Sequence, residues 1–153
     1  MPRTIATTTT VDRADLLAFL RPRHHVILLT PRRGGGWQGS PVTAGVDAAG
    51  RIAVSTYPER AKAANVARAG TASLVVLSDD FNGPWVQVDG DAALLTLPEA
   101  LEPLVEYYRA ISGEHPDWDE YRAAMVDQGK ALIRITPTHW GPIATGGFPA
   151  RLG

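Results

Sequence analysis

One segment is the most informative part of this chain: Ser55-Thr56-Tyr57-Pro58-Glu59-Arg60-Ala61-Lys62-Ala63-Ala64-Asn65. It is typical of a β-strand that runs directly into an α-helix. Thr56 and Glu59 have the spacing of a capping box, with Pro58 in the first turn, where its missing N–H costs little. Gly70 then predicts the end of the helix.

The start of this predicted helix favours an anion. A helix N-terminus offers free N–H groups and the positive end of a dipole, and Arg60 and Lys62 add two cations. Lys62 and Asn65 are three residues apart and share a helix face. The same pattern is also typical of a solvated amphipathic helix with ordinary surface cations, and the motif alone does not separate the two interpretations.

Composition restricts the class of protein. A length of 153 residues predicts a single domain over 1–153, with 1–11 as a loose lead-in. A formal net charge of -1 argues against a broad basic face for nucleic acid. The absence of cysteine excludes disulfides, cysteine–zinc sites and cysteine nucleophiles. No apolar signal core and no run of about 20 apolar residues is present, so we expect a cytoplasmic protein without a membrane partner.

The chain organisation predicts a mainly β fold with flanking helices. Pro41 indicates an edge or a bulge in one strand, and Gly90 indicates a bulge in another. About six strands and a few helices in one small domain favour a closed or split β-barrel with the helices packed outside. The predicted strands cover residues 25–30, 37–45, 51–56, 71–78, 85–95 and 131–136, and the other predicted helices cover 12–20, 98–111 and 116–127.

No catalytic set is evident. His24 and His25 begin a strand and point to opposite faces, so two ligands for one metal from this pair would be unusual. His115 is most simply a helix-entry residue, and His139 is isolated. No Ser/His/Asp triad is apparent. An anion site without an acid–base set fits a bound cofactor that carries the chemistry. The four tryptophans either wall such a site or pack in the core or in a dimer interface. For Trp118 we favour the packing role.

Several stretches resemble known flavoproteins. Residues 38–42, 55–65, 72–76 and 85–90 resemble the pyridoxamine-phosphate-oxidase-like split-barrel family, whose relatives include FMN binders. Residues 107–122 are more specific and resemble the actinobacterial branch that uses the deazaflavin coenzyme F-420.

The resemblance implies a six-stranded split β-barrel of the FMN-binding type and a homodimer with two cofactor sites at its interface. Arg60, Lys62 and Asn65 would hold the anionic tail of the cofactor. Ser55 and the strand 38–41 would lie beside its ring and ribityl chain. Trp85 and the loop 82–84 would wall the site. Many relatives carry another basic residue where this chain has Ala64. The implied cofactor-binding residues are Gln38, Ser40, Pro41, Ser55, Thr56, Arg60, Lys62, Asn65 and Trp85.

The resemblance also implies an activity. It is the transfer of a hydride from reduced coenzyme F-420 to an electron-poor C=C or C=N bond of a small molecule. The alternatives are an FMN-dependent oxidase or reductase of the same fold, and a non-enzymatic protein that binds or stores the cofactor or a related ring compound. The sequence identifies neither a proton donor nor a substrate.

Overall fold

The computed structural model of the protein describes residues 10–145, which form four α-helices and seven β-strands. In chain order they are α1 (Arg13–Leu20), β1 (His25–Pro31), β2 (Trp37–Val46), β3 (Ile52–Thr56), α2 (Ala61–Ala69), β4 (Thr71–Val76), β5 (Pro84–Leu95), α3 (Leu101–Ser112), α4 (Trp118–Gln128), β6 (Ala131–Trp140) and β7 (Ala144–Thr145).

Six strands form a closed antiparallel barrel. Their order is β4–β1–β2–β3–β6–β5, and β5 pairs with β4 to complete the circle, while the short β7 adds to the start of β5. The register of β5 against β6 shifts between Asp89 and Gly90, which confirms the predicted bulge. A Cβ atom on Gly90 would lie 2.3 Å from the Thr136 carbonyl oxygen, so only glycine lets the strands approach this closely. The predicted barrel with flanking helices is confirmed.

Two helices close the barrel, and its interior is apolar. Strand residues alternate between the interior and the outer face, as the pleat requires. The interior is completed by Leu16 and Leu20 of α1 and by Ala63 and Val66 of α2, none more than 2% exposed. Burial of each of the two leucines and the valine contributes about 1.5–3 kcal/mol.

The other two helices lie outside the barrel. α3 contacts β2, β3 and β6, and α4 packs on α3. A second core cluster fills the space between these helices and the sheet, built from Ala53, Leu104, Val105, Tyr121 and Leu132 among others. No helix between residues 10 and 145 is long and apolar enough to cross a lipid bilayer.

The start of the described chain is hydrogen-bonded to the end of β6. Asp12 caps α1 as predicted, because its Oδ1 accepts the Asp15 N–H at 2.8 Å. The lead-in predicted over 1–11 lies outside the described residues apart from its last two positions. Val11 is 8% exposed, and its carbonyl accepts the Trp140 Nε1–H at 2.7 Å. This contact ties the entry of α1 to the end of β6.

The capping box predicted for α2 is wrong. The helix begins at Ala61, its N-cap is Arg60, and no side chain in the described part of the chain caps it. Thr56 instead pairs with Ala131 in the β3–β6 ladder, and its hydroxyl contacts the next carbonyl at 3.4 Å. Because strand pairing keeps Thr56 extended, the chain makes a turn before it enters the helix. The predicted end at Gly70 is confirmed, with φ of 69°.

Candidate functional site

The barrel has an open seam between β2 and β3. β2 pairs with β1 through residues 37–43, but with β3 only through Ala44–Val46. Residues 37–43 of β2 and 55–56 of β3 therefore do not pair with each other, and we call the gap between them the seam. The Ala44 N–H donates to the His24 carbonyl on the β1 side. Since backbone groups alternate in direction along a strand, those of Thr43 point into the seam.

The β2 side of the seam is an unpaired strand edge. Pro41 lies on this edge, which confirms the edge predicted for it, and its ring leaves no N–H for a ladder bond. By the same alternation the backbone groups of Gly39 also face the seam. A ligand in the seam would meet the backbone groups of Gly39 and the carbonyl of Pro41.

Two predicted site residues lie on the inner side of β2. Gln38 pairs with Thr30 of β1, and the Thr30 hydroxyl donates to Gln38 Oε1 at 3.5 Å. Ser40 pairs with the fully buried Leu28. The Ser40 hydroxyl is buried, yet within residues 10–145 it has no hydrogen-bond partner. An unsatisfied buried hydroxyl costs about 1–3 kcal/mol, so a polar group of a ligand placed here would be stabilised.

The β3 side of the seam carries Ser55, which contacts a side chain that the sequence did not single out. The Tyr107 hydroxyl reaches from α3 and donates to the Thr43 carbonyl at 2.8 Å. Burial raises the pKa of Tyr107, and the nearby N–H and hydroxyl of Ser55 partly oppose that shift. The phenol is therefore protonated at neutral pH.

The start of α2 lies at the end of the seam and has the character of an anion site. Its first N–H groups have no helical partner, and no side chain between residues 10 and 145 caps them. Neither Arg60 nor Lys62 forms an ion pair with a described residue. Partial burial and the nearby charge of Arg60 lower the pKa of Lys62. Two mutually repelling cations beside free N–H groups are the arrangement that an anionic ligand stabilises.

A third cation stands near this helix start and was missed by sequence reasoning. Lys130 Nζ lies 4.0 Å from the centroid of the Tyr57 ring, a cation–π contact just before the turn into α2. Lys130 follows the end of α4 at Gly129 and precedes β6, whose first residue pairs with Thr56. Only the β3–β6 pairing, which the sequence does not state, brings Lys130 here.

Asn65 has partners inside the protein. It is 8% exposed, its Nδ2 donates to Thr30 Oγ1 at 3.2 Å, and its Oδ1 accepts from Arg68 at 3.1 Å. Arg68 also donates to the Pro31 carbonyl. These contacts fasten α2 to the end of β1 and leave one amide N–H of Asn65 for a ligand. Its contact with a cofactor tail stays a prediction.

Trp85 is not brought to the seam. Val76 pairs with Val86, so in the same register Trp85 lies opposite Leu77. The residues that lie side by side with this pair on the next strands are His25 of β1 and Thr43 of β2. Three strand spacings separate β5 from β2, about 14 Å. Within one protomer Trp85 does not wall the site; a contact with the cofactor would have to be made with the site of another copy. The structure thus gathers eight of the nine predicted residues around the seam and α2: Gln38, Ser40, Pro41, Ser55, Thr56, Arg60, Lys62 and Asn65.

The histidines occupy separate places. His24 contacts the Ala44 carbonyl at 2.8 Å, His25 lies 3.4 Å from the exposed Asp79, and His115 accepts the Asp117 N–H. Among residues 10–145 no group of three or more histidine or acidic side chains is placed to hold a metal ion.

Comparison with known proteins identifies the family. The family model of pyridoxamine 5'-phosphate oxidase matches residues 13–144, nearly the whole described chain. The chain therefore belongs to the pyridoxamine 5'-phosphate oxidase family.

Solved structures share the fold at low sequence identity. A conserved hypothetical protein from Mycobacterium tuberculosis is 19% identical, with a TM-score of 0.74 over 93% of this chain and 90% of that one. A structure described as an F420 reductase is 16% identical, with a TM-score of 0.61 over 81% and 94%. A heme binding protein from Mycobacterium smegmatis is 16% identical, with a TM-score of 0.62 over 86% and 53%. At these identities the likeness concerns the fold.

Proposed function

We propose that this protein is a coenzyme F-420-dependent oxidoreductase that holds the deazaflavin ring in the seam and its anionic tail at the start of α2. The observation that carries the proposal is the open seam followed by a helix N-terminus at which, among residues 10–145, no side chain forms a cap and neither Arg60 nor Lys62 forms an ion pair. A ligand that fills both places must join a flat polar ring to an anion through a short chain. Flavin and deazaflavin cofactors have this composition.

The residues of the seam fit such a group. Ser40 offers a buried hydroxyl without a partner, and the unpaired edge at Gly39 and Pro41 offers backbone groups that can bond ring heteroatoms. Arg60 and Lys62 would bind the tail by charge-assisted hydrogen bonds, each worth about 1.5–3 kcal/mol. Asn65 would hold α2 in place through Thr30 and would donate its remaining amide N–H to the tail.

The proposed reaction needs positioning more than acid–base chemistry. A bound reduced deazaflavin supplies a hydride for an electron-poor C=C or C=N bond. The chain would orient the ring along the β2 edge and hold the substrate against it, which converts a bimolecular encounter into an oriented one. Trp37, 58% exposed at the end of the same strand, offers an apolar wall that excludes water.

The proposal includes a homodimer. On the outer face of the sheet, Ile27 of β1 lies between Pro41 of β2 and Val75 of β4, and this row is half-buried or exposed. An open groove of about 320 Å³ runs along it. A second copy packed here would bury the row together with Trp37, and would bring its own Trp85 toward the neighbouring seam. Light scattering at micromolar concentration should then give about twice the 16.4 kDa chain mass.

The choice of F-420 over FMN rests on the resemblance of residues 107–122 to the deazaflavin-using branch. The likeness to an F420 reductase structure supports it at the level of fold. Ala64 favours the alternative, because it is exposed beside the helix start and adds no cation for a highly charged tail. FMN, whose tail is a single phosphate, is therefore the second candidate. A non-enzymatic role is the third, because no acid–base set is evident at the seam, and one structural neighbour is a heme binding protein.

Separate titrations of the purified protein with coenzyme F-420 and FMN test the proposal. We expect tighter binding of the deazaflavin, and a preparation largely free of flavin from a host that lacks F-420. A yellow preparation with stoichiometric FMN and no measurable F-420 affinity would promote the FMN alternative. Reduced cofactor mixed with a panel of electron-poor acceptors then separates an enzyme from a binding protein, since a binding protein gives no turnover.

A further inference from the structure

Tyr107 occupies the first missing rung of the β2–β3 ladder. The ladder pairs Val46 with Ile52 and ends where Ala44 pairs with Val54. In the same register the next pair would be Thr43 with Ser55. At this position the Tyr107 hydroxyl donates to the Thr43 carbonyl at 2.8 Å, although 64 residues separate the two in sequence.

Thr43 and Ser55 are placed as a hydrogen-bonded pair of the ladder would be, but the Tyr107 hydroxyl lies at the Thr43 carbonyl. Thr43 faces β3 because its neighbour Ala44 bonds toward β1. Ser55 lies beside the same oxygen, because its N–H and hydroxyl oppose the rise that burial causes in the pKa of Tyr107. The phenol hydroxyl thus occupies the carbonyl to which the Ser55 N–H would donate if the strands paired. The Thr43 carbonyl is thereby satisfied without a direct bond between the strands, which lowers the cost of separating them here.

Tyr107 is held rigidly enough to act in this way. Its helix is anchored by Leu104 and Val105, at most 3% exposed, and by Glu106, which accepts the Ala48 N–H at 2.7 Å. The hydroxyl therefore approaches the strands from a fixed base on the outer face.

We propose that Tyr107 is a positioning residue that keeps the seam open, and that the width it sets decides how well a flavin-type ring enters. The consequence for the ring rests on the proposed function; the separation of the strands does not. Without the hydroxyl, Thr43 and Ser55 pair directly and the seam shortens by one rung. The closure stops there, because the next hydrogen-bonded position on β2 is Pro41, which has no N–H.

The test removes one oxygen atom. Tyr107→Phe keeps the ring and its packing, and Tyr108→Phe is the matched control, because Tyr108 packs its ring in the α3–α4 cluster away from the seam. Two quantities are measured in each variant: the amide–amide NOE between Thr43 and Ser55 in the cofactor-free protein, and the dissociation constant for riboflavin, which has the ring but no phosphate.

We expect the NOE to appear in Tyr107→Phe and to be absent from the wild type and Tyr108→Phe. Riboflavin binding should weaken about tenfold in Tyr107→Phe, and the variant should lose a similar factor for the complete cofactor. Lys62→Ala should instead weaken binding of the complete cofactor and leave riboflavin unchanged. In the wild type, a slowly exchanging Tyr107 hydroxyl proton should show an NOE to the Ser55 amide. This measurement requires no substitution.

The two proposals fail separately. If the wild type binds none of these ligands, the proposed function fails, and the NOE measurements alone decide the role of Tyr107. An open rung in a folded Tyr107→Phe, or a wild type without the hydroxyl-to-Ser55 NOE, overturns the proposal. A closed rung with unchanged riboflavin affinity overturns the positioning role, and leaves only a structural one.

Discussion

Two cation-rich regions of this protein differ in how their charges are satisfied. At the start of α2, Arg60 and Lys62 have no acidic partner among the described residues. At the corner between α3 and α4, Arg109 lies 2.8 Å from Glu114, and Arg122 bonds both carboxylate oxygens of Glu102 at 2.9 Å. The first arrangement leaves its cations open to solvent or to an anionic ligand, whereas the second is paired within the chain.

The corner is a structural unit. The rings of Tyr108, His115, Trp118 and Tyr121 pack edge-on or tilted, with centroids 5.1 to 5.8 Å apart. Trp118 Nε1–H donates to Glu114 at 3.0 Å, and this bond, with Arg109, lowers the pKa of the Glu114 carboxyl. Burial, together with neighbouring tyrosines, raises the pKa of Tyr121 to about 12.

The contrast separates family resemblance from site chemistry. Residues 107–122 carried the more specific resemblance, yet most of their contacts build a helix corner, and Tyr107 is the residue among them that reaches the seam. A motif can therefore mark a branch of a family through its architecture. The proposed contact with a ligand rests instead on less distinctive cations such as Lys62.

The largest expected effect is on stability, at the corner. Trp118→Ala removes a half-buried ring that contacts three other rings and a carboxylate, and it should lower the free energy of unfolding by about 3 kcal/mol, the lower end for an aromatic-to-alanine change. Urea denaturation measures the loss. Cofactor affinity, measured where the variant is folded, should match the wild type. An equal loss of affinity would show that the corner and the site are coupled.

The second effect is on binding, at the start of α2. Lys62→Ala should weaken binding of the complete cofactor by about 10- to 150-fold, equal to roughly 1.5–3 kcal/mol for a charge-assisted contact. Stability should change little, because Ala63 and Val66 anchor the helix and the repulsion from Arg60 is relieved. Arg109→Ala is the control with the same loss of charge, and its dissociation constant should not change. An unchanged constant for Lys62→Ala would remove this lysine from the site.

The same lysine predicts a pH dependence. Partial burial and Arg60 lower the pKa of Lys62 from 10.5 in the free protein, and a bound anion favours the charged form. Affinity should therefore be greatest while Lys62 is protonated and should fall as the pH rises through its lowered pKa, below 10.5. Titrations between about pH 7 and 10 should show this decline in the wild type and not in Lys62→Ala. If affinity depends on pH in the same way in the wild type and in Lys62→Ala, Lys62 does not bind the anion.

The smallest effect concerns the ion pairs of the corner. The hydrogen bond from Arg122 lowers the pKa of Glu102, so this carboxylate stabilises the fold above pH 4.5 and loses that contribution as the pH falls through its folded-state pKa. Because the pair is exposed, Glu102→Gln should cost roughly 0.2–1 kcal/mol at neutral pH. Urea unfolding from pH 6 to 3 should show a flatter profile for Glu102→Gln than for Glu120→Gln, a control outside the observed ion pairs. Identical slopes would mean that the pair contributes nothing.

Local chemistry in the sequence predicted most of the elements. Asp12 identified the start of α1, Gly70 the end of α2, Gly90 the bulge and Pro41 the unpaired edge, because each acts through its own backbone or that of near neighbours. The capping box at Thr56 failed because pairing with β6, 75 residues away, keeps that residue in a strand.

The sequence by itself determined the alternation and turns of a six-stranded barrel and the cations at the start of α2, since these depend on residues close together in the chain. Only the tertiary structure decided where the barrel opens and what stands at the opening. Tyr107 meets Thr43, and Lys130 meets Tyr57, across 64 and 73 residues. Such contacts depend on the register of distant strands and on how a helix packs over them, and that register is set by burial of the whole core rather than by any local pattern.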